Sequence, residues 1–221
     1  NVFRKFFAEG AFSQAFIPIY SEYLGKNDEI GGKEFLNSML GILLTTLFIF
    51  TSLALLFAPI FILIFAPGFY FDSQKQDLAV SLLRIMFPYL ALISLVAFAA
   101  GIQNSHDKFS IPAITPLIFN LCLIGSAWLI APNVKIPVIA LAWGVLLAGV
   151  LQLIFQLAPL AAIKKIPLPE INFKNAGVKK FFILILPALI AGGIAQINLL
   201  VDTIFASLLV TGSPTWLYVS D

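Results

Sequence analysis

The sequence predicts an all-α, polytopic membrane helix bundle, and three observations carry that prediction. Of 221 residues, 60% are hydrophobic and 11% charged, against about 25% charged in an ordinary soluble domain. Six stretches hold no Asp, Glu, Lys or Arg: residues 35–71, 85–106, 109–134, 136–163, 181–201 and 203–220. A helix needs roughly 20 apolar residues to cross about 30 Å of hydrocarbon, so the first five are long enough. The sixth is shorter, polar toward its end, and divided from its predecessor only by Asp202. The apolar runs are also continuous, whereas a barrel strand alternates over about ten positions.

The elements follow in order. Residues 1–23 read as a helical segment rich in Phe and Ala, carrying Arg4, Lys5 and Glu9. A polar loop is expected over 24–33, marked by Gly25, Asn27, Gly31 and Gly32. The next span covers 35–65 and closes at the turn Ala66-Pro67-Gly68. Another runs from about 78 to 103 with Pro88 inside it. A short loop, 104–110, leads to Pro112 and Pro116 at the start of a span that ends at Ala131-Pro132-Asn133. A further span covers 138–162. The longest polar connection, 164–180, has Pro167 and Pro169 near its start. Pro187 lies early in the span that continues to about 209, and Gly212-Ser213-Pro214 turns the chain into a last partial helix. Prolines inside such helices remove a backbone hydrogen bond and kink them, which neighbouring helices make tolerable in a membrane. There is no initiator Met and no signal peptide with its cleavage site, and Asp221 falls within an apparently helical segment. These features lead us to expect an internal fragment.

Loop charge sets the expected orientation. One face receives Lys26, Lys33, Lys108, Lys164, Lys165, Lys174, Lys179 and Lys180, eight in all; the other receives Lys75 and Lys135, with Arg84 the only addition. The positive-inside rule puts the lysine-rich face in the cytoplasm, so residues 1–23 run from outside to inside.

Ionisable groups at membrane depth cost at least a few kcal/mol each and tend to face a cavity or a partner. At about 100° per residue, Arg4, Ala8, Ala11 and Ala15 share one narrow face. Glu9 lies about 140° from Arg4 and near Lys5 instead. A smooth alanine stripe topped by a guanidinium suits the wall of an anion-holding cavity; the alternative is an arginine reaching to the outer headgroups. Lys5 and Glu9 read as a local pair, with a cavity role for Glu9 open. Asp202 shares a face with Asn198, Ala195 and Ala191, which suits a cation or proton site. Helix–helix hydrogen bonding or closeness to the outer surface fits it as well. Gln196 points elsewhere, His106 is expected to be solvated in its loop, and Cys122 is expected to serve packing.

The classes excluded are equally definite. A single His rules out an HExxH site, and no Walker-type glycine-rich loop is present. One cysteine makes no disulfide framework or thiolate metal site. An enzyme is not expected, nor is a nucleic-acid partner or a cofactor.

The stretch Arg4-Lys5-Phe6-Phe7-Ala8-Glu9-Gly10-Ala11-Phe12-Ser13-Gln14-Ala15-Phe16, continued by Ile17-Pro18-Ile19-Tyr20-Ser21-Glu22-Tyr23, resembles the signature of the MurJ (MviN) family. Ala66-Pro67-Gly68-Phe69, Leu83-Arg84-Ile85-Met86-Phe87-Pro88-Tyr89 and Phe109-Ser110-Ile111-Pro112-Ala113 resemble it too. So do Ala140-Leu141-Ala142-Trp143, Gln196-Ile197-Asn198-Leu199 and Thr203-Ile204-Phe205-Ala206-Ser207. The likeness runs through the chain in order. These are bacterial lipid II flippases of the multidrug/oligosaccharidyl-lipid/polysaccharide exporter superfamily.

The resemblance implies a lobe of that exporter fold. Residues 1–165 would form most of the N-terminal lobe (second to sixth helices), 166–180 a cytoplasmic inter-lobe linker, and 181–221 the start of the C-terminal lobe. It implies translocation of lipid II, the undecaprenyl-diphosphate-linked disaccharide-pentapeptide, from the inner to the outer leaflet of the bacterial inner membrane by alternating access. Implied partners are lipid II, membrane lipids and cell-wall synthesis proteins. Arg4 and Glu9 match family cavity residues, and Thr215 falls where relatives carry a small hydroxyl residue. A sodium ion or proton at Asp202, with Asn198, is the candidate coupling site. Competing readings are export of another polyprenyl-linked glycan, cation-coupled drug antiport, and a non-transporting scaffold for cell-wall synthesis.

Overall fold

The computed structural model describes residues 11–187 together with Ile190, Val201, Ile204 and Phe205. Among the described residues every regular element is helical. In chain order these are α1 (Ala11–Gly25), α2 (Glu29–Leu56), α3 (Ala58–Phe65), a 3-10 turn (Pro67–Phe71) and α4 (Ser73–Met86). Then come α5 (Pro88–Asn104), α6 (Ser110–Gly125), a π-turn (Ser126–Ile130), a second 3-10 turn (Ala131–Asn133) and α7 (Pro137–Ala162). The helix α8 is described over 176–187. Four stretches among the described residues are long and apolar enough to cross a membrane: Glu29–Leu56, Ser73–Asn104, Ser110–Asn133 and Pro137–Ala162.

Two of the expected spans are interrupted for a single residue beside a proline. The span expected over 35–65 divides at Phe57, one residue before Ala58-Pro59, and the span expected over 78–103 divides at Phe87, directly before Pro88. In each case the proline sits in the first turn of the following helix, where its missing N–H costs nothing. The ladder is rejoined around it: the Phe57 N–H donates to Leu53 O at 2.9 Å and the Phe87 N–H to Leu83 O at 2.8 Å. The two breaks lie side by side. The Phe87 ring packs 5.7 Å from Phe50 and 6.3 Å from Phe61, so aromatic bulk fills the space beside both bends.

The loop expected over 24–33 is shorter than the glycines suggest. α2 already begins at Glu29, because the Asp28 carboxylate caps it by accepting from the Gly31 N–H at 2.9 Å. Asn27 makes the turn with φ +53°, a left-handed conformation that Asn tolerates better than most residues. An Asp cap outweighs the helix-weakening effect of Gly31 and Gly32.

The core lies where α1, α2, α5 and the start of α8 meet. Phe12, Phe16 and Tyr20 recur every four residues along one face of α1 and are buried. Phe16 stacks 5.6 Å from Phe35 of α2 and meets Phe98 of α5 edge-on at 5.3 Å. Phe181 of α8 closes on Phe12 at 5.4 Å. Gly101 makes room for this cluster, since a Cβ there would stand 2.9 Å from the Phe16 ring. Elsewhere α7 packs against both α5 and α6.

Candidate functional site

Arg4, Glu9, Asn198, Asp202 and Thr215 all lie outside the described residues. What is described is the part of the same helix that follows Arg4 and the end of the bundle toward which it runs. Ala15, a member of the Arg4 face, is 2% exposed and belongs to the aromatic core. At its level that face is packed protein, not open cavity wall.

The lysine-rich loops do converge at one end, as their alternation requires. Three residues, Tyr20, Glu22 and Asn37, tie them together. Tyr20 near the end of α1 is hydrogen-bonded to His106 Nε2 in the α5–α6 loop, 3.1 Å apart. The Glu22 carboxylate accepts from Lys26 at 2.7 Å and, on its other oxygen, from Lys180 at the start of α8. Asn37 of α2 holds the connection that leaves α7: its side-chain oxygen accepts from the Leu168 N–H at 2.9 Å, and its backbone oxygen from the Glu170 N–H at 3.1 Å. The pair with Glu22 holds the exposed Lys26 ammonium above its ordinary pKa.

His106 is therefore not the solvated loop residue that its neighbours suggested. It is partly buried, its ring meets the Tyr20 ring edge-on at 5.7 Å, and burial, with Lys165 nearby, lowers its pKa below 6.5. The neutral ring is the form that accepts from the tyrosine hydroxyl. A loop only five residues long holds it against α1.

Two clefts open at this end. One, of about 730 Å³, lies between the start of α2 and the connection after α7, and its charged lining alternates in sign: Glu29, Lys33, Glu34, Lys164 and Lys165. The other, of about 250 Å³, lies between α1 and α8 and is lined by Glu22, Tyr23, Lys26 and Lys180 among others. Carboxylates beside the lysines partly cancel their field, so neither cleft resembles the anion-holding cavity expected around Arg4. Among the described residues there is no cluster of three His, Cys, Asp or Glu side chains that would hold a metal ion.

A buried polar cluster escaped the sequence reading altogether. Gln103 of α5 donates to Gln156 of α7, whose own amide donates to the Thr115 hydroxyl of α6 at 2.8 Å. Gln152, one turn before, donates to the Thr115 carbonyl at 3.0 Å. All four side chains are at most 4% exposed. Three helices are thus joined by amides where lipid offers no competing partner. The signal was present in the i, i+4 spacing of Gln152 and Gln156 within an otherwise apolar span.

The family model described as lipid II flippase MurJ matches residues 1–221, the entire chain. The chain belongs to the MurJ lipid II flippase family. It is 40% identical over its whole length to the protein named "Probable lipid II flippase MurJ" of Buchnera aphidicola subsp. Acyrthosiphon pisum, covering 43% of that protein. It is 36% identical to the "Lipid II flippase MurJ" of Burkholderia cenocepacia, covering 44% of it. Among solved structures, one titled "Lipid II flippase MurJ, inward closed conformation" superposes with a TM-score of 0.77 at 30% identity, over 97% of this chain and 43% of that one. The chain thus spans a little under half the length of the relatives it matches. The exporter-type helical bundle expected from the motifs is the fold observed.

Proposed function

We propose that the whole protein of which this chain is part translocates lipid II from the inner to the outer leaflet of a bacterial inner membrane, as a transporter and not an enzyme. The observation that carries the reading is the unbroken family match over residues 1–221 together with the 0.77 superposition on a flippase. The chemistry suits it. A diphosphate carries at least two negative charges, and a guanidinium stays protonated and offers paired planar donors. In a partly dry cavity such contacts are stronger than in water. Arg4 and Glu9 at the start of the first segment, with Thr215, are the proposed head-group contacts. Asp202 with Asn198 is the proposed sodium or proton site that couples transport to a gradient. Alternating access of two lobes about a central site would complete the cycle.

The test is complementation by full-length protein in a bacterium depleted of its own flippase. Arg4→Ala is expected to abolish growth while expression and membrane insertion persist. Normal growth with Arg4→Ala would overturn the carrier reading in favour of a scaffold. Asp202→Asn is expected to remove the ion dependence of transport, and unchanged ion dependence would remove the coupling role.

A further inference from the structure

The connection that leaves α7 has an unusual construction. Residues 165–172 form no regular element, yet the N–H groups at their centre are all accounted for. Those of Leu168 and Glu170 turn toward α2 and are spent on Asn37, at 2.9 and 3.1 Å. Their neighbours Pro167 and Pro169 have no N–H at all. From 167 to 170 no backbone N–H is therefore left without a partner. That is of no use to a segment in water and would weaken pairing with an added strand, but it suits an apolar medium, where each unsatisfied donor costs several kcal/mol.

The side chains agree. Ile166, Leu168, Ile171 and Phe173 are 50–66% exposed, and Lys164, Lys165 and Lys174 flank them. The path is fixed at close range. A Cβ on Gly41, one turn along α2 from Asn37, would collide with the Glu170 backbone carbonyl. At the far end a Cβ on Gly177 would stand 2.6 Å from the Phe35 ring. The depth is right as well: from Asn37 to Leu56, the end of α2, the helix rises about 30 Å, the hydrocarbon thickness. Asn37 stands just past Lys33 and Glu34, the last charged residues before that apolar stretch, on the side where the lysines gather.

We propose that residues 164–174 form an interfacial strap, clamped to α2 by Asn37 and Gly41. Ile166, Leu168, Ile171 and Phe173 enter the adjacent leaflet, and Lys164, Lys165 and Lys174 engage anionic lipid headgroups. The occupant of this surface is the bilayer itself. The inference stands apart from the flippase reading, because it concerns a face of the connection and no transported molecule.

The experiment uses the full-length protein, made cysteine-free, with single substitutions Ile171→Cys or Phe173→Cys carrying an environment-sensitive fluorophore. Each is placed in nanodiscs of phosphatidylcholine alone or of phosphatidylcholine with phosphatidylglycerol. The expected result is blue-shifted emission, quenched by lipids spin-labelled near the headgroup and shielded from aqueous iodide, with stronger lipid quenching in the anionic bilayer. Replacing Lys164, Lys165 and Lys174 together by Gln is expected to abolish the difference between the two bilayers, since each lysine near an anionic surface contributes about fivefold to partition. Asn37→Ala is expected to reduce lipid quenching at both sites. Labels open to iodide would place the strap in water, and labels shielded from both quenchers would place it under the rest of the protein; either result overturns the proposal. Lipid quenching indifferent to headgroup charge would overturn the role of the lysines.

Discussion

α5 and α6 are consecutive helices of similar hydrophobicity, yet they meet different surroundings. Half of the most apolar window of Ser73–Asn104, which ends in α5, is buried within the protein, against 11% for Ser110–Asn133, which begins with α6. α5 packs on α1, α2 and α7, and its Phe98, Gly101, Ile102 and Gln103 are enclosed. α6 offers Leu117, Leu121, Ile124 and the neighbouring Trp128 outward. In water the second pattern would be a fault. In a bilayer the lipid tails are as apolar as leucine, so hydrophobicity alone does not decide which helix goes inside. Close packing and hydrogen bonds decide it: α5 brings a glycine that admits a phenylalanine ring and a glutamine that donates to Gln156 of α7.

The largest effect should separate these two helices. Phe16→Ala would empty the space against Gly101 and Phe98 and cost about 3 kcal/mol, the low end for a phenylalanine truncated in a core. Leu121→Ala on the outward face of α6 should stay within about 0.5 kcal/mol. Unfolding titrations of the full-length protein in mixed micelles measure both, and equal losses would break the contrast.

The next effect concerns the amides that hold α6 to its neighbours. Gln156→Leu strands the Gln103 amide, while the Thr115 hydroxyl keeps its bond to the Ile111 carbonyl, and should cost about 2 kcal/mol, whereas Gln103→Leu combined with Gln156→Leu should recover part of that loss. The same titrations, run as a double-mutant cycle, read the coupling.

Smaller still is the clamp at the lysine-rich end. Gly41→Val pushes a side chain into the Glu170 carbonyl, and the resulting overpacking should cost roughly 1–2 kcal/mol, expressed locally. Faster tryptic cleavage at Lys164, Lys165 and Lys174, with the bundle otherwise intact, is the expected readout.

The smallest effect is the pH response of His106. Its pKa in the folded protein is lowered by burial and by Lys165, with Asp107 opposing, while Tyr20 hydrogen-bonds the ring. The folded state then binds fewer protons than the unfolded chain. The stability this neutral histidine contributes is complete above pH 6.5, the ordinary value, and is lost as the pH falls through the folded value. Thermal midpoints of wild type should decline more than those of His106→Gln over that acid range. Parallel curves would mean that the histidine titrates as if free.

Much of this was legible beforehand, for reasons of solvent. A run such as 136–163 has no charge to place in water, so it must be a span, and loop lysines sort themselves to one face. Other features were misread because local signals compete. Gly31 and Gly32 suggested a loop, but the Asp28 cap three residues earlier starts the helix. Pro88 suggested a kink and the helix is interrupted at Phe87 just before it, but the interruption at Phe57, two residues before Pro59, was not anticipated. His106 looked solvated because sequence neighbours say nothing of Tyr20, 86 residues away. Arg4, Glu9, Asn198, Asp202 and Thr215 remain sequence-derived candidates, since they lie outside the described residues.

By itself the sequence determined that this chain is a bundle of membrane helices, which way its loops sort, and which family signature it carries. Those follow from how each residue partitions between water and hydrocarbon and from the order of residues along the chain. Only the tertiary structure decided which apolar faces pack against protein and which are left outward, that three glutamines and Thr115 meet, and that Asn37 captures a chain segment more than 130 residues on. Among so many apolar residues of similar hydrophobicity, those choices rest on shape and hydrogen-bond geometry, and both exist only once the helices have come together.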